Sequence, residues 1–119
     1  MRGIVLSVLL LLASSCLAKF EGKQSKWKGY NKTEFQLDGN KAFAVEPKEP
    51  AEGKPWVWRA RFPTYHTEID EMLLKDGYHI AHINAGSRLG SIHALKIWEQ
   101  FYDLLTQKHG FNQKVVLEG

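Results

Sequence analysis

Trp56-Val57-Trp58-Arg59-Ala60-Arg61-Phe62 reads as a β-strand, dense in aromatic and apolar residues and closed by Pro63, which has no amide hydrogen to give a sheet. Working outward toward the C-terminus, a helix is expected to begin near Thr67. Thr67 and Asp70 resemble a capping pair, and Ile69, Met72 and Leu73 are expected to share its apolar face. Gly77 stands where a left-handed helix cap is needed. Tyr78 to Ile83 reads as a second strand and residues 84–90 as a loop with two glycines. Ser91 is expected to cap a longer helix running to about Lys108, with Leu95, Trp98, Phe101, Tyr102 and Leu105 on its buried stripe. Lys108 and His109 suit the negative end of that helix's dipole, and Gly110 stops it. Lys114 to Leu117 is a third strand. Helices of this length serve as crossovers, so the three strands are expected to be parallel with right-handed connections.

Toward the N-terminus, Thr33 to Leu37 alternates, with Phe35 and Leu37 on one face, and Asp38-Gly39-Asn40 follows as a turn. Lys41 to Glu46, around Phe43 and Val45, completes a hairpin. Residues 47–55 hold three prolines and a glycine and read as a loop. The expected fold is α/β: an antiparallel hairpin at the edge of a sheet, then β-α-β-α-β with parallel strands. Residues 34–119 carry this domain. Residues 19–33, polar and rich in lysine and glycine, read as a loose lead-in.

Residues 1–18 have the three parts of a secretory signal: Arg2, an apolar run from Ile4 to Leu12, and a small, cleavable Ala13-Ser14-Ser15-Cys16-Leu17-Ala18. The apolar run is shorter than the roughly 20 residues a membrane span needs. Cleavage after Ala18 would give a secreted or periplasmic protein. Lipid attachment at Cys16 is the weaker alternative, because the leucine falls one position too early for a lipobox. Cys16 is the only cysteine, so a chain cleaved in this way is held by its core without a disulfide.

The formal net charge is +3. Lys19, Lys23, Lys26, Lys28 and Lys32, mixed with Trp27 and Tyr30, could be taken for a nucleic-acid patch. No arginine-rich run or recognition-helix pattern accompanies them, and a solvated face explains them better. Nucleic acid is therefore not an expected partner.

The stretch from Lys54-Pro55-Trp56-Val57-Trp58-Arg59-Ala60-Arg61-Phe62 to Lys114-Val115-Val116-Leu117-Glu118-Gly119 resembles exported bacterial α/β-hydrolases of a prolyl-oligopeptidase-like or esterase-like kind. Between these ends the matching residues are Asp76-Gly77-Tyr78-His79-Ile80-Ala81, Gly90-Ser91, Trp98, Phe101-Tyr102 and His109-Gly110-Phe111. The resemblance covers about residues 30–119. It implies a serine hydrolase acting on ester or amide substrates, with Gly119 as the first glycine of a G-x-S-x-G nucleophile elbow. Serine, acid and histidine follow in that order in such enzymes. The chain would then be an N-terminal fragment, inactive alone, with no catalytic residue of its own. One oxyanion-hole amide comes from the loop after the third strand. Here that loop runs through Arg61 to Tyr65, and since Pro63 cannot donate, Phe62 and Thr64 are the backbone candidates. Arg61, at the strand's end, could hold a substrate carboxylate, with a structural salt bridge as the competing role. Arg88 is a second substrate-binding candidate, because open α/β sheets bind ligands at the carboxyl ends of their strands.

Neither metal nor cofactor is expected. His79 and His82 are three apart in a strand and point to opposite faces, and no cysteine or acid completes a zinc-like set with His66, His93 or His109. No glycine-rich dinucleotide fingerprint or phosphate loop is present. The alternative to a hydrolase fragment is a small exported binding or interaction domain. The apolar Val115-Val116-Leu117 so near the last residue speaks against it.

Overall fold

A computed structural model describes residues 19–60, 67–85 and 92–118. Its strands are β1 (Lys23–Trp27), β2 (Tyr30–Leu37), β3 (Asn40–Glu46), β4 (Trp56–Arg59), β5 (His79–Ile83) and β6 (Val116–Glu118). Helix α1 (Glu68–Lys75) joins β4 to β5. Helix α2 (Ile92–Asp103), extended by a π-helical turn over Leu104–Lys108, precedes β6.

All six strands form one sheet in the order β1-β2-β3-β5-β4-β6. The first three make an antiparallel meander, β3 pairs antiparallel with β5, and β4 is parallel to both β5 and β6. The expected α/β class, with an antiparallel edge followed by parallel strands and helical crossovers, is what the structure has. The antiparallel part is larger than a hairpin. Residues 19–33 are not loose, because β1 and the start of β2 lie there. The four leading residues of β1 are exposed. This polar edge strand therefore lacks the apolar alternation that marks a half-buried one. Both tight turns of the meander place a residue pair at positive φ: Lys28 at 50° with Gly29 at 87°, and Asp38 at 50° with Gly39 at 80°. That geometry matches the twist of the strands it joins.

From β4 the chain moves to one side of that strand (β5) and then to the other (β6). Right-handed crossovers in opposite directions put their helices on opposite faces of the sheet. The core divides accordingly. On one face Leu74 of α1 packs with Val45, Val57 and Ile80. On the other, Ile97, Phe101 and Leu105 pack with Ala42, Ala44, Trp56, Ala81 and Ile83. Trp56 also donates its indole Nε1 hydrogen to the carbonyl of Asn112 at 2.7 Å.

Both helices are turned relative to expectation. Ile69 and Met72 are exposed, and α1 buries Asp70 and Leu74. Thr67 makes no side-chain cap bond, and its hydroxyl accepts from Lys28 Nζ at 2.9 Å. In α2 the stripe is centred on Ala94, Ile97 and Phe101, with Trp98 and Tyr102 at its margin and Leu95 exposed. Gly110 closes the helical run at φ 72°, as expected. Ser91, the expected cap, lies outside the described residues.

Candidate functional site at the carboxyl edge of the parallel strands

Because β4, β5 and β6 are parallel, their carboxyl ends share one edge of the sheet. On the α1 face the pairing register lines up two rows of side chains. The inner row, Lys32, Val45, Ile80, Val57 and Val116, is apolar apart from Lys32. The row nearer the carboxyl edge is polar apart from Phe43: Glu34 stands opposite Phe43, Phe43 opposite His82, and Arg59 opposite Glu118, with His82 and Arg59 on adjacent strands.

Arg59 ends a central strand covered on both faces, where a cation must be paired. Its Nη1 donates to Asp70 Oδ2 at 3.0 Å and to Glu118 Oε1 at 2.7 Å. Its side chain is 3% exposed, that of Asp70 2% and that of Glu118 21%. One guanidinium thus ties together the ends of β4, β6 and α1. The need to present Asp70 to Arg59 accounts for the rotation of α1: Asp70, Leu73, Leu74 and Gly77 form the inward stripe, and Ile69 and Met72 turn out. Burial raises the Asp70 carboxyl to about 6, and the neighbouring Glu118 pushes the same way against the attraction of Arg59. A guanidinium so enclosed cannot meet a substrate; the cluster fixes the ends of β4 and β6 against α1.

His82 occupies the next position along this row. Its Nδ1 lies 2.7 Å from the Arg59 carbonyl oxygen. A carbonyl can only accept, so Nδ1 carries the hydrogen and Nε2 keeps its lone pair. Burial lowers the His82 pKa, and the Arg59 and Lys32 charges act in the same direction against the carbonyl bond. His82 is therefore a neutral imidazole of fixed tautomer with an acceptor nitrogen. It borders an open groove of about 480 Å³. His79, on the opposite face, rests against Phe111 at 4.4 Å between ring centroids. Burial drops its pKa to about 4, which makes it a neutral core residue.

Arg61, Phe62 and Thr64 follow β4 in sequence, Arg88 follows β5, and Gly119 follows Glu118 directly. All five expected site residues lie outside the described residues, and so do residues 1–18, the expected signal segment with Cys16. What sequence reasoning missed is the Arg59–Asp70–Glu118 cluster and the fixed His82. The available signal was Arg59 itself, a charge alternating with Trp56-Val57-Trp58 on a strand read as buried. Among the described residues no group of three or more His, Cys, Asp or Glu side chains is placed to hold a metal ion. None of the helices described is long and apolar enough to cross a membrane.

No protein-family model and no curated protein matches the chain. Among solved structures, the chain is similar to Est1E from Butyrivibrio proteoclasticus, with a TM-score of 0.48 and 18% identity over 72% of this chain and 39% of that one. It is also similar to a cold-adapted esterase from an Arctic intertidal metagenomic library, solved with bound PEG, with a TM-score of 0.47 and 17% identity over 84% of this chain and 54% of that one. The chain thus spans about two-fifths and about half of the lengths of these two proteins.

Proposed function

We propose that this chain is the N-terminal part of an exported serine hydrolase that cleaves small-molecule or peptide esters or amides through an acyl-enzyme. The single supporting observation is topological: the carboxyl ends of β4, β5 and β6 share one edge, and Gly119 follows β6 there, where a strand-to-helix elbow would carry a nucleophile. In this reading the serine, the acid and the histidine all follow Gly119. The serine attacks the substrate carbonyl, the histidine takes its proton and returns it to the leaving group, and water then releases the acyl chain. The amides of Phe62 and Thr64 are the candidates for binding the oxyanion, and Arg61 and Arg88 for binding a substrate carboxylate. Arg59, Asp70 and Glu118 anchor the strand ends beneath this edge. Residues 1–18 direct export.

The test joins sequence and chemistry. The gene is expected to continue in frame with a serine within a few codons of Gly119. A fluorophosphonate probe should label the longer product and leave residues 1–119 unlabelled. A longer product that takes no label, or labelling of the 119-residue chain, would overturn the proposal.

A further inference from the structure

The groove beside His82 lies on the α1 face of the sheet, in the region spanned by β2, β3 and β5. Its volume, about 480 Å³, is within the range of small-molecule sites, roughly 300–1,000 Å³. Its walls carry a specific set of chemistries. Phe43 is partly buried at the centre, with the His82 ring 5.5 Å away and the Lys32 ammonium 4.5 Å above its own ring. Lys32 also approaches Glu34 at 3.8 Å. Lys41 and Asn84 line the end nearer the carboxyl edge, and Lys41 enters no salt bridge among the described residues.

These groups limit what can bind. His82 presents Nε2 as an acceptor, since its Nδ1 is committed to the Arg59 carbonyl, and the Glu34 carboxylate is a second acceptor. Both can accept from hydroxyl or N–H donors of a ligand. Lys41 offers donors and a positive charge suited to an anion. Phe43 offers an apolar ring flanked by the Lys32 ammonium and the His82 imidazole. An aromatic acid would satisfy the lysine and leave both acceptors unanswered. A simple polyol would leave the cation unanswered.

We propose that this groove binds an acidic sugar of the hexuronic type, with its carboxylate on Lys41, ring hydroxyls donating to His82 Nε2 and Glu34, and its carbon ring beside Phe43. The site does not depend on the hydrolytic activity proposed above, and a full chain that cleaves nothing can still bind such a ligand.

The experiment is an NMR titration of the full chain with glucuronate, in parallel with glucose, which lacks the carboxylate, and acetate, which lacks the hydroxyls. Glucuronate is expected to shift the His82 imidazole and Phe43 ring signals saturably, with both comparators weaker by about tenfold or more. Lys41→Gln and Glu34→Gln lie on exposed side chains and should leave the fold intact. Each is expected to weaken glucuronate by about tenfold, the scale of one lost charge-assisted hydrogen bond. His82→Phe should abolish the response of the Phe43 ring. Unmoved His82 signals, equal binding of glucose or acetate, or parent-like affinity in both exposed variants would overturn the proposal.

Discussion

Arg59 and Asp70 form an ion pair at 3.0 Å with both side chains at most 3% exposed, joining the end of a central strand to the inward stripe of α1. A buried pair of this kind contributes little compared with well-packed apolar residues, but removing one partner strands the other. Arg59→Met leaves the Asp70 and Glu118 carboxylates facing each other without their cation. We expect a loss of about 3–5 kcal/mol in urea unfolding at neutral pH. Adding Asp70→Leu should recover much of it. An Arg59→Met chain as stable as the parent would mean that the cluster is not formed in solution.

The same carboxylate and a histidine give two opposed pH dependences. Burial, with help from Glu118, raises Asp70 from 3.8 to about 6. A carboxyl whose pKa is higher in the folded state favours folding below pH 4, and that contribution is lost as pH rises through 6. His79, lowered by burial from 6.5 to about 4, contributes stability above pH 6.5 that is lost as pH falls through 4. The two slopes oppose one another over nearly the same interval, each on the order of 3 kcal/mol. Asp70→Asn should therefore expose the histidine slope, with stability falling on acidification from pH 6.5 to 4. His79→Gln should expose the carboxylate slope, with stability rising on acidification from pH 6 to 4. Denaturant midpoints across this range read both, and identical pH profiles in the two variants would contradict the assignment.

These buried ionisable groups also mark where the sequence was legible and where it was not. Trp56-Val57-Trp58 and Ile80-Ala81 announce themselves as strand because a central parallel strand is apolar on both faces. Asp38-Gly39 announces a turn because few residues accept positive φ. The face of α1 was not legible. Ile69, Met72 and Leu73 make a good apolar stripe in isolation, but the cation on β4 selects the neighbouring stripe through Asp70. Which helix face turns inward depends on a side chain eleven residues away. β1 was missed for a different reason. Lys23-Gln24-Ser25-Lys26 buries almost nothing, and its strand character comes from backbone pairing with β2, which leaves no apolar pattern. Lys28-Gly29 was the overlooked turn signal.

The far edge of β6 offers another measurable consequence. Among the described residues β6 is bonded to β4 on one side and has no strand on the other. Val116 is 47% and Leu117 71% exposed, so an apolar strand edge faces solvent. Such edges recruit other strands, and lysine is an effective blocker. Leu117→Lys is expected to reduce concentration-dependent self-association in sedimentation velocity while changing stability by only about 0.5 kcal/mol. Unchanged association would mean that contacts form elsewhere, with the exposed Ile69 and Met72 of α1 as the next surface to alter.

Gly77 is a position where the backbone leaves little choice. It follows the C-cap of α1 at φ 92°, and a Cβ there would lie 2.5 Å from the Ala51 amide nitrogen and 2.9 Å from the Glu49 carbonyl oxygen. The Gly77 carbonyl also accepts from the Ala51 amide at 3.0 Å, which pins the proline-rich loop against the helix end. Gly77→Ala therefore combines an unfavourable φ with a clash against backbone that cannot rotate away. The strain alone is about 1–3 kcal/mol, and displacing the loop adds to it. Gly39→Ala is the control, because that glycine has a similar φ of 80° but nothing within 4 Å of the added Cβ. We expect the Gly77 variant to unfold at clearly lower urea than the Gly39 variant, with amide exchange of Ala51 accelerated only in the former. Equal destabilisation would assign the whole cost to φ and show that the loop does not pack against the helix end.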